Sequence, residues 1–171
     1  MPDLFGTLYD RLHMALVQRH ADDIGVSFPG YSLQPRTLGA SLRLHGTEES
    51  LARLMETDWL RGVRDHVHIG VIAPVPGDAR HRTVQRRQFK TSADRLRRRR
   101  ARRKGETVEQ AARAIPTSVE RRPNLPFAQL RSRTTGQRFS LFIALGELTD
   151  VPVPGRFNSH GLSRTATIPW F

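Results

Sequence analysis

An α+β fold is the expectation from three features of the chain. Apolar residues near the N-terminus recur at helical spacing, several short runs alternate like half-buried strands between proline and glycine breaks, and a basic stretch in the middle again has a helical period. At 171 residues and 37% hydrophobic content there is enough apolar material for one domain of ordinary size or two small ones.

Phe5, Leu8, Leu12, Ala15 and Leu16 form the apolar stripe of an amphipathic helix ending near Gln18, with His13 beside it. Ile24 to Phe28 reads as a strand stopped by Pro29 and Gly30, and Ser41 to His45 as a second. Thr47 is placed to cap a helix whose first turn holds Glu48 and Glu49, where carboxylates suit the positive end of the dipole, and whose buried face is Leu51, Leu54 and Met55. Val63 to Ile72 reads as a further strand. Pro74 to Gly77 continues neither a helix nor a sheet centre, so a boundary or long turn is expected there. Arg82 to Lys90 is expected to be extended, with Arg86 and Gln88 on one face and Arg87 and Phe89 on the other. A helix should then start at Ser92 and end at Gly105. Glu106 to Ile115 is expected to make another, stopped by Pro116, and after the break at Pro123 to Pro126 a hairpin follows: Phe127 to Arg133, a turn at Thr134 to Gln137, and Arg138 to Leu145.

The charge distribution is more informative than the formal net of +12. Residues 1–79 carry 7 basic and 10 acidic side chains, residues 80–104 carry 13 and 1, and residues 105–171 carry 8 and 5. The whole excess therefore sits in one short stretch, the footprint of a segment that neutralises phosphates. Seven arginines fall in the nine residues from Arg95 to Arg103, and only Lys90 and Lys104 are lysine in the entire chain. Guanidinium presents a fixed fork of donors that matches phosphates and guanine edges. Arg95, Arg98, Arg99 and Arg102 make one helical stripe whose mutual repulsion a bound polyanion would relieve. These residues point to RNA or DNA.

Other classes are disfavoured. There is no cysteine, which removes disulfide frameworks, thiolate zinc sites and cysteine nucleophiles. No run of about 18 apolar residues and no signal-peptide pattern occurs, so a cytoplasmic location is expected. His66 and His68 lie two apart without a visible third ligand, and neither a metal nor another cofactor is expected. By residue type alone, His13, Ser132 and Phe139 read as ordinary structural residues.

Several strings in order change that reading: Leu12-His13-Met14-Ala15-Leu16-Val17, Ile24 to Pro29, Arg86, Gln88 and the Arg95 to Arg103 cluster, Leu130-Arg131-Ser132, Thr135-Gly136-Gln137, Gly161-Leu162-Ser163 and Pro169-Trp170-Phe171. Together they resemble the CRISPR-associated endoribonuclease of subtype I-F, which cuts CRISPR repeat RNA at the base of a hairpin, and the resemblance spans most of the chain. It implies a ferredoxin-like N-terminal domain over residues 1–76 and a C-terminal RNA-binding part over residues 77–171. The family begins with a strand ahead of its first helix. Here only Met1-Pro2-Asp3 and Leu4 precede Phe5, so the expectation is a sheet without that strand or a shortened chain.

The resemblance also implies roles. His13 falls on the histidine that deprotonates the ribose 2′-hydroxyl, giving a 2′,3′-cyclic phosphate and a 5′-hydroxyl without a metal; imidazole suits this because it ordinarily titrates near neutrality. Ser132 falls on the serine that positions the ribose, and Phe139 on the aromatic that stacks at the foot of the stem. Arg86 and Gln88 fall on the pair that reads a guanine and an adenine, while Arg95, Arg98, Arg99, Arg102 and Arg103 fall on the stem-gripping helix. His160 stands where the family's active-site tyrosine is expected, able to orient His13 or to protonate the leaving oxygen. The implied partners are the CRISPR repeat RNA hairpin, retained after cutting, and other subunits of a surveillance complex. A non-catalytic hairpin-binding subunit and a structural RNA-binding protein of ribosomal type are the alternatives.

Overall fold

The computed structural model describes residues 4–89, 93–116, 124–132 and 134–171, and of residues 93–95 the backbone alone. Ser92, expected as a helix cap, and Arg133, expected to end a strand, lie outside the described residues. The chain divides into two compact units: Met1–Arg87 with Leu125–Phe171, and Gln88–Asn124. The fold is mixed α+β with small antiparallel sheets.

In the first unit, helix α1 (Leu4–Gln18) buries Gly6, Tyr9, Leu12, Ala15 and Leu16. Its C-terminus closes with two bonds, Ala21 N–H to the Leu16 carbonyl at 3.0 Å and His20 N–H to the Val17 carbonyl at 3.1 Å. That arrangement needs a left-handed residue just past the helix, and His20 takes it with φ 51°. Strand β1 (Gly25–Ser27) is buried throughout. A short hairpin follows, β2 (Ser32–Leu33) with β3 (Arg36–Thr37), joined through a cis Gln34–Pro35 bond. Strand β4 (Arg43–His45) pairs antiparallel with β1. Helix α2 (Glu48–Met55) is capped by the Thr47 side chain, which accepts from the Ser50 N–H.

Val63 to Ile72 is not a strand. Arg64–His66 form a 3-10 turn, and the described chain from Val67 to Ala79 joins no sheet; Val71 is 90% exposed. The segment has the β-branched content of a strand but no partner ladder, and such content specifies a strand only where it packs on a sheet. His66 and His68 stand exposed along it.

Beyond Pro74 to Gly77 the chain returns to the same unit. Strand β5 (Arg80–Arg82) pairs with β9 (Ile168–Trp170), and β6 (Val84–Arg87), β8 (Arg138–Leu145) and β7 (Phe127–Arg131) form a three-stranded sheet in the order β6-β8-β7. One core joins Tyr9, Leu12 and Leu16 of α1 with Val26 and Phe28, with Leu130, Leu141 and Ile143 of this sheet, and with Leu162 and Ile168. Arginine is used structurally at the edge of that core: the Arg43 guanidinium donates to the Phe171 carbonyl and lies 4.1 Å over the Phe171 ring.

The second unit holds helix α3 (Ala93–Lys104), ended by Gly105 at φ 64°, and helix α4 (Val108–Ala114). Thr107 and Gln110 form a reciprocal capping box at the start of α4. No helix among the described residues is long and apolar enough to cross a membrane.

Two stability predictions follow from the first unit. Glycine adopts the left-handed region without the steric cost a histidine side chain meets, so His20→Gly should raise unfolding free energy by about 0.5 to 1 kcal/mol; a lower urea midpoint would contradict the cap assignment. His45 is buried with its Nε2 2.8 Å from Ser27 Oγ, and burial, aided by Arg43, pulls its pKa down to about 4. The unfolded chain therefore binds a proton there that the native chain refuses. Stability from this group should be complete above about pH 6.5 and fall by up to roughly 1.4 kcal/mol per pH unit as the pH drops toward 4. Urea titrations across that range should show the slope reduced in His45→Gln.

Candidate active site and nucleic-acid interface

One face of α1 holds a loop near the C-terminus by two consecutive carbonyls. Tyr9 donates its hydroxyl to the His160 carbonyl at 2.8 Å, and four residues on, one helical turn, His13 Nδ1 lies 2.7 Å from the Ser159 carbonyl. A carbonyl can only accept, so Nδ1 carries the hydrogen and the lone pair of the neutral ring sits on Nε2. Burial pushes the Tyr9 hydroxyl well above its ordinary pKa, which keeps it a donor.

The loop is shaped to be held this way. Asn158 Oδ1 accepts from the N–H groups of His160 and Leu162 at 2.8 and 3.2 Å, and the Gly161 carbonyl accepts from Val26 N–H of β1 at 2.9 Å. Gly161 has φ 69°, and a Cβ there would lie 2.3 Å from Val26 Cγ2, so only glycine lets the loop approach β1 so closely.

The His160 ring stacks on the His13 ring, with centroids 3.9 Å apart and planes 11° from parallel. His160 is 9% exposed, and burial first, then the charges of His13 and Arg86, pull its pKa down to about 3. It is a neutral imidazole laid flat against His13.

Arg86 lies on β6, its guanidinium carbon 5.9 Å from the centroid of Phe139 on β8. Phe139 is half-buried and packs against the core edge. His13, His160, Arg86 and Phe139 are thus gathered in one unit. Ser132 immediately follows β7 and begins the turn to β8: its N–H donates to the Gln137 carbonyl at 2.8 Å, and its Oγ accepts from Thr135 N–H at 3.3 Å. The strand end before it is tied to α1, because Arg131 N–H donates to Asp10 Oδ2 at 3.0 Å, three residues from His13.

Gln88 and the arginine helix belong to the second unit. There the arginines divide by face. Arg97 Nε donates to the Ile115 carbonyl at 2.9 Å, and Arg100 makes a two-pronged pair with Glu106 at 2.7 and 3.1 Å. These two are committed to the chain on either side of α4, Arg100 before it and Arg97 after it. Arg98, Arg99, Arg102 and Arg103 are exposed. The side chain of Arg95 lies outside the described residues. Among the described residues no group of three or more acidic, histidine or cysteine side chains is arranged to hold a metal ion.

Sequence reasoning missed Tyr9, Asp10 and the Ser159 carbonyl. The spacing of Tyr9 and His13, four residues apart on one face, was the available signal, but their partners lie more than 140 residues away and no local pattern names them.

A model of the CRISPR-associated protein family Cas_Csy4 matches residues 1–171. A CRISPR-associated endonuclease Cas6/Csy4 of Pseudomonas aeruginosa (strain UCBPP-PA14) is 43% identical over 168 residues, covering 98% of this chain and 90% of the relative. The protein of the same name from Escherichia coli (strain UTI89 / UPEC) is 42% identical with the same coverage. The chain belongs to the Csy4 family of CRISPR-associated proteins.

Proposed function

We propose that this chain is an endoribonuclease that cuts CRISPR precursor RNA at the base of the repeat hairpin. The observation that carries the reading is the fixed tautomer of His13: with Nδ1–H committed to the Ser159 carbonyl, Nε2 is the basic atom, the arrangement a general base requires. The naming of two relatives as CRISPR-associated endonucleases supports it.

In the proposed reaction, His13 Nε2 takes the proton of the ribose 2′-hydroxyl. The 2′-oxygen forms a bond to the adjacent phosphorus as the bond to the 5′-oxygen breaks, and that oxygen takes a proton from solvent water as it leaves. The products are a 2′,3′-cyclic phosphate and a 5′-hydroxyl. Ser132 positions the reacting ribose. Phe139 stacks under the last base of the stem, a contact worth about 1 to 3 kcal/mol. Arg86 and Gln88 read base edges, and Arg98, Arg99, Arg102 and Arg103, with Arg95, grip the stem phosphates. His160 is a positioning residue. Its low pKa argues against the alternative role as the acid that protonates the leaving oxygen, since it holds no extra proton at neutral pH.

Most of the binding energy falls on the stem, which cutting leaves unchanged, so substrate and product bind alike and the protein stays on the product hairpin. That retention suits a subunit of a cytoplasmic surveillance complex.

Repeat RNA incubated with the protein in EDTA should be cut, and the same RNA with 2′-deoxyribose at the cut site should not. Cutting of the deoxy RNA overturns the mechanism, and binding without cutting selects a non-catalytic hairpin-binding subunit. His13→Ala should lower the single-turnover rate by about a hundredfold or more and leave hairpin affinity unchanged. His160→Phe, which keeps a flat ring, should lower the rate yet preserve the shape of the pH–rate profile between about pH 5 and 8; loss of an acidic limb would restore the acid role. Replacing Arg98 and Arg102 by Gln should weaken binding and reduce the log–log salt slope by roughly 2 in total.

A further inference from the structure

The sheet β6-β8-β7 has two chemically different faces. Strand alternation turns Leu130, Phe139, Leu141, Ile143, Val84 and Arg86 to the face that meets the core. The opposite face carries Arg87, Phe127, Gln129, Arg131, Arg138 and Phe142. Across the three strands Arg87, Phe142 and Phe127 are direct neighbours, with the two phenyl rings 5.3 Å apart and Phe127 49% exposed. Toward the turn, Ser140 donates to Gln129 at 3.2 Å, and beyond them Arg131 and Arg138 sit directly opposite each other, both exposed. No carboxylate occurs in any of the three strands.

We infer that this outward face is a second RNA surface, holding the single-stranded RNA that leads into the 5′ side of the hairpin. The inference rests on the function proposed above. Two like charges directly opposed on adjacent strands disfavour a sheet; the Gly136 carbonyl, 3.0 Å from Arg131 Nε, and the Asp10 carboxylate at the Arg131 N–H offset part of this, and a phosphate lying over both guanidinium groups offsets more. An aromatic pair of one exposed ring, Phe127, and one half-buried ring, Phe142, supplies the other need of a single strand, a platform for stacking that accepts any base. The arginine row and the phenylalanine row lie four residues apart, about 13 Å at the usual strand rise, which is room for more than one nucleotide. A protein partner is the weaker fit, because Arg87 stands beside the aromatic pair and Arg131 with Arg138 stands toward the turn.

The choice of the 5′ strand follows from retention together with one premise of the proposed reaction, that the cut falls on the 3′ side of the stem, so that RNA upstream of the stem stays joined to the product hairpin. A face gripping RNA beyond the cut would hold the leaving fragment and make substrate bind better than product. RNA leading into the 5′ side of the stem stays on the product, so its contacts serve both states equally. The turn that carries Ser132 lies at the end of this sheet where Arg131 and Arg138 stand, so RNA entering the foot of the stem meets that row first.

The test compares three RNAs, each with 2′-deoxyribose at the cut site so that it stays whole: the bare hairpin, the hairpin with a mixed-sequence 5′ tail of about five nucleotides, and the hairpin with an equal 3′ tail. The wild-type protein should bind the 5′-tailed RNA about tenfold tighter than the bare hairpin, with little gain from the 3′ tail. Phe127→Ala with Arg138→Gln should reduce that gain to within about twofold while binding the bare hairpin as wild type does. Arg138→Gln alone, an exposed change that leaves the sheet core untouched, should lose part of the gain. The proposal is overturned by a 5′ tail that adds nothing, by an equal or larger gain from the 3′ tail, or by a double variant that keeps the gain. It is also overturned if the variants bind every RNA as wild type does and fail only to join a partner protein. Wild-type protein that ignores the bare hairpin sinks the functional reading itself; binding and cutting of the hairpin without a tail effect sinks this inference alone.

Discussion

Two hydrogen bonds from one face of α1 to the adjacent carbonyls of Ser159 and His160 join the first helix of the chain to its last loop. Each bond is worth only about 1 kcal/mol net, but a buried Tyr9 hydroxyl without its acceptor would cost more than the bond contributes. The same grip serves two purposes. It anchors the loop to the core through Leu12, Leu16 and Leu162, and it fixes which nitrogen of His13 is basic. The loop is fastened again from the other side, where the Gly161 carbonyl meets β1. Core packing and candidate chemistry are therefore one construction.

The second unit solves an electrostatic problem by other means. A helix with seven arginines in nine residues is repelled by itself, and the described structure relieves part of that repulsion locally. Glu106 neutralises Arg100, the Ile115 carbonyl takes up Arg97, and Gly105 turns the chain so that α4 can follow. Arg99, Arg102 and Arg103 lie exposed on the helix. Positive charge is thus sorted by helix face, one row serving the unit's own structure and the other facing solvent.

The parts legible in the sequence were those with local causes. α1 announced itself by its period, α2 by Thr47 and its acidic first turn, α3 by Gly105, and the hairpin by its turn residues. Strand β9 was not legible, because its partner β5 lies more than 80 residues earlier and three residues carry too little pattern. Val63 to Ile72 misled for the converse reason: its composition suits a strand, yet what makes a strand is a partner, and composition does not report one. The site divided in the same way. Single residues such as His13, Ser132 and His160 could be named from ordered strings, whereas the stacking of His13 on His160 and the support from Tyr9 are tertiary facts. The helical period of the arginine segment is legible in the sequence, but that Arg97 and Arg100 pair within their own unit needs the chain around α4 in place.

The histidine at 160, where the family resemblance leads one to expect tyrosine, has a physical consequence that depends on its neutrality. Its ring lies 3.9 Å from that of His13. Two imidazolium charges at that separation would repel by about 4 kcal/mol at an effective dielectric of 20. In the proposed reaction His13 must pick up a proton, and a charged neighbour would oppose that step by a comparable amount. Burial and the nearby Arg86 keep His160 uncharged, so its ring offers His13 a stacking surface without competing for the proton. A tyrosine supplies a neutral ring by its chemistry; here the surroundings impose the same neutrality on a histidine. The substitution is compatible with a base at position 13 because the pocket, more than the residue type, sets the charge.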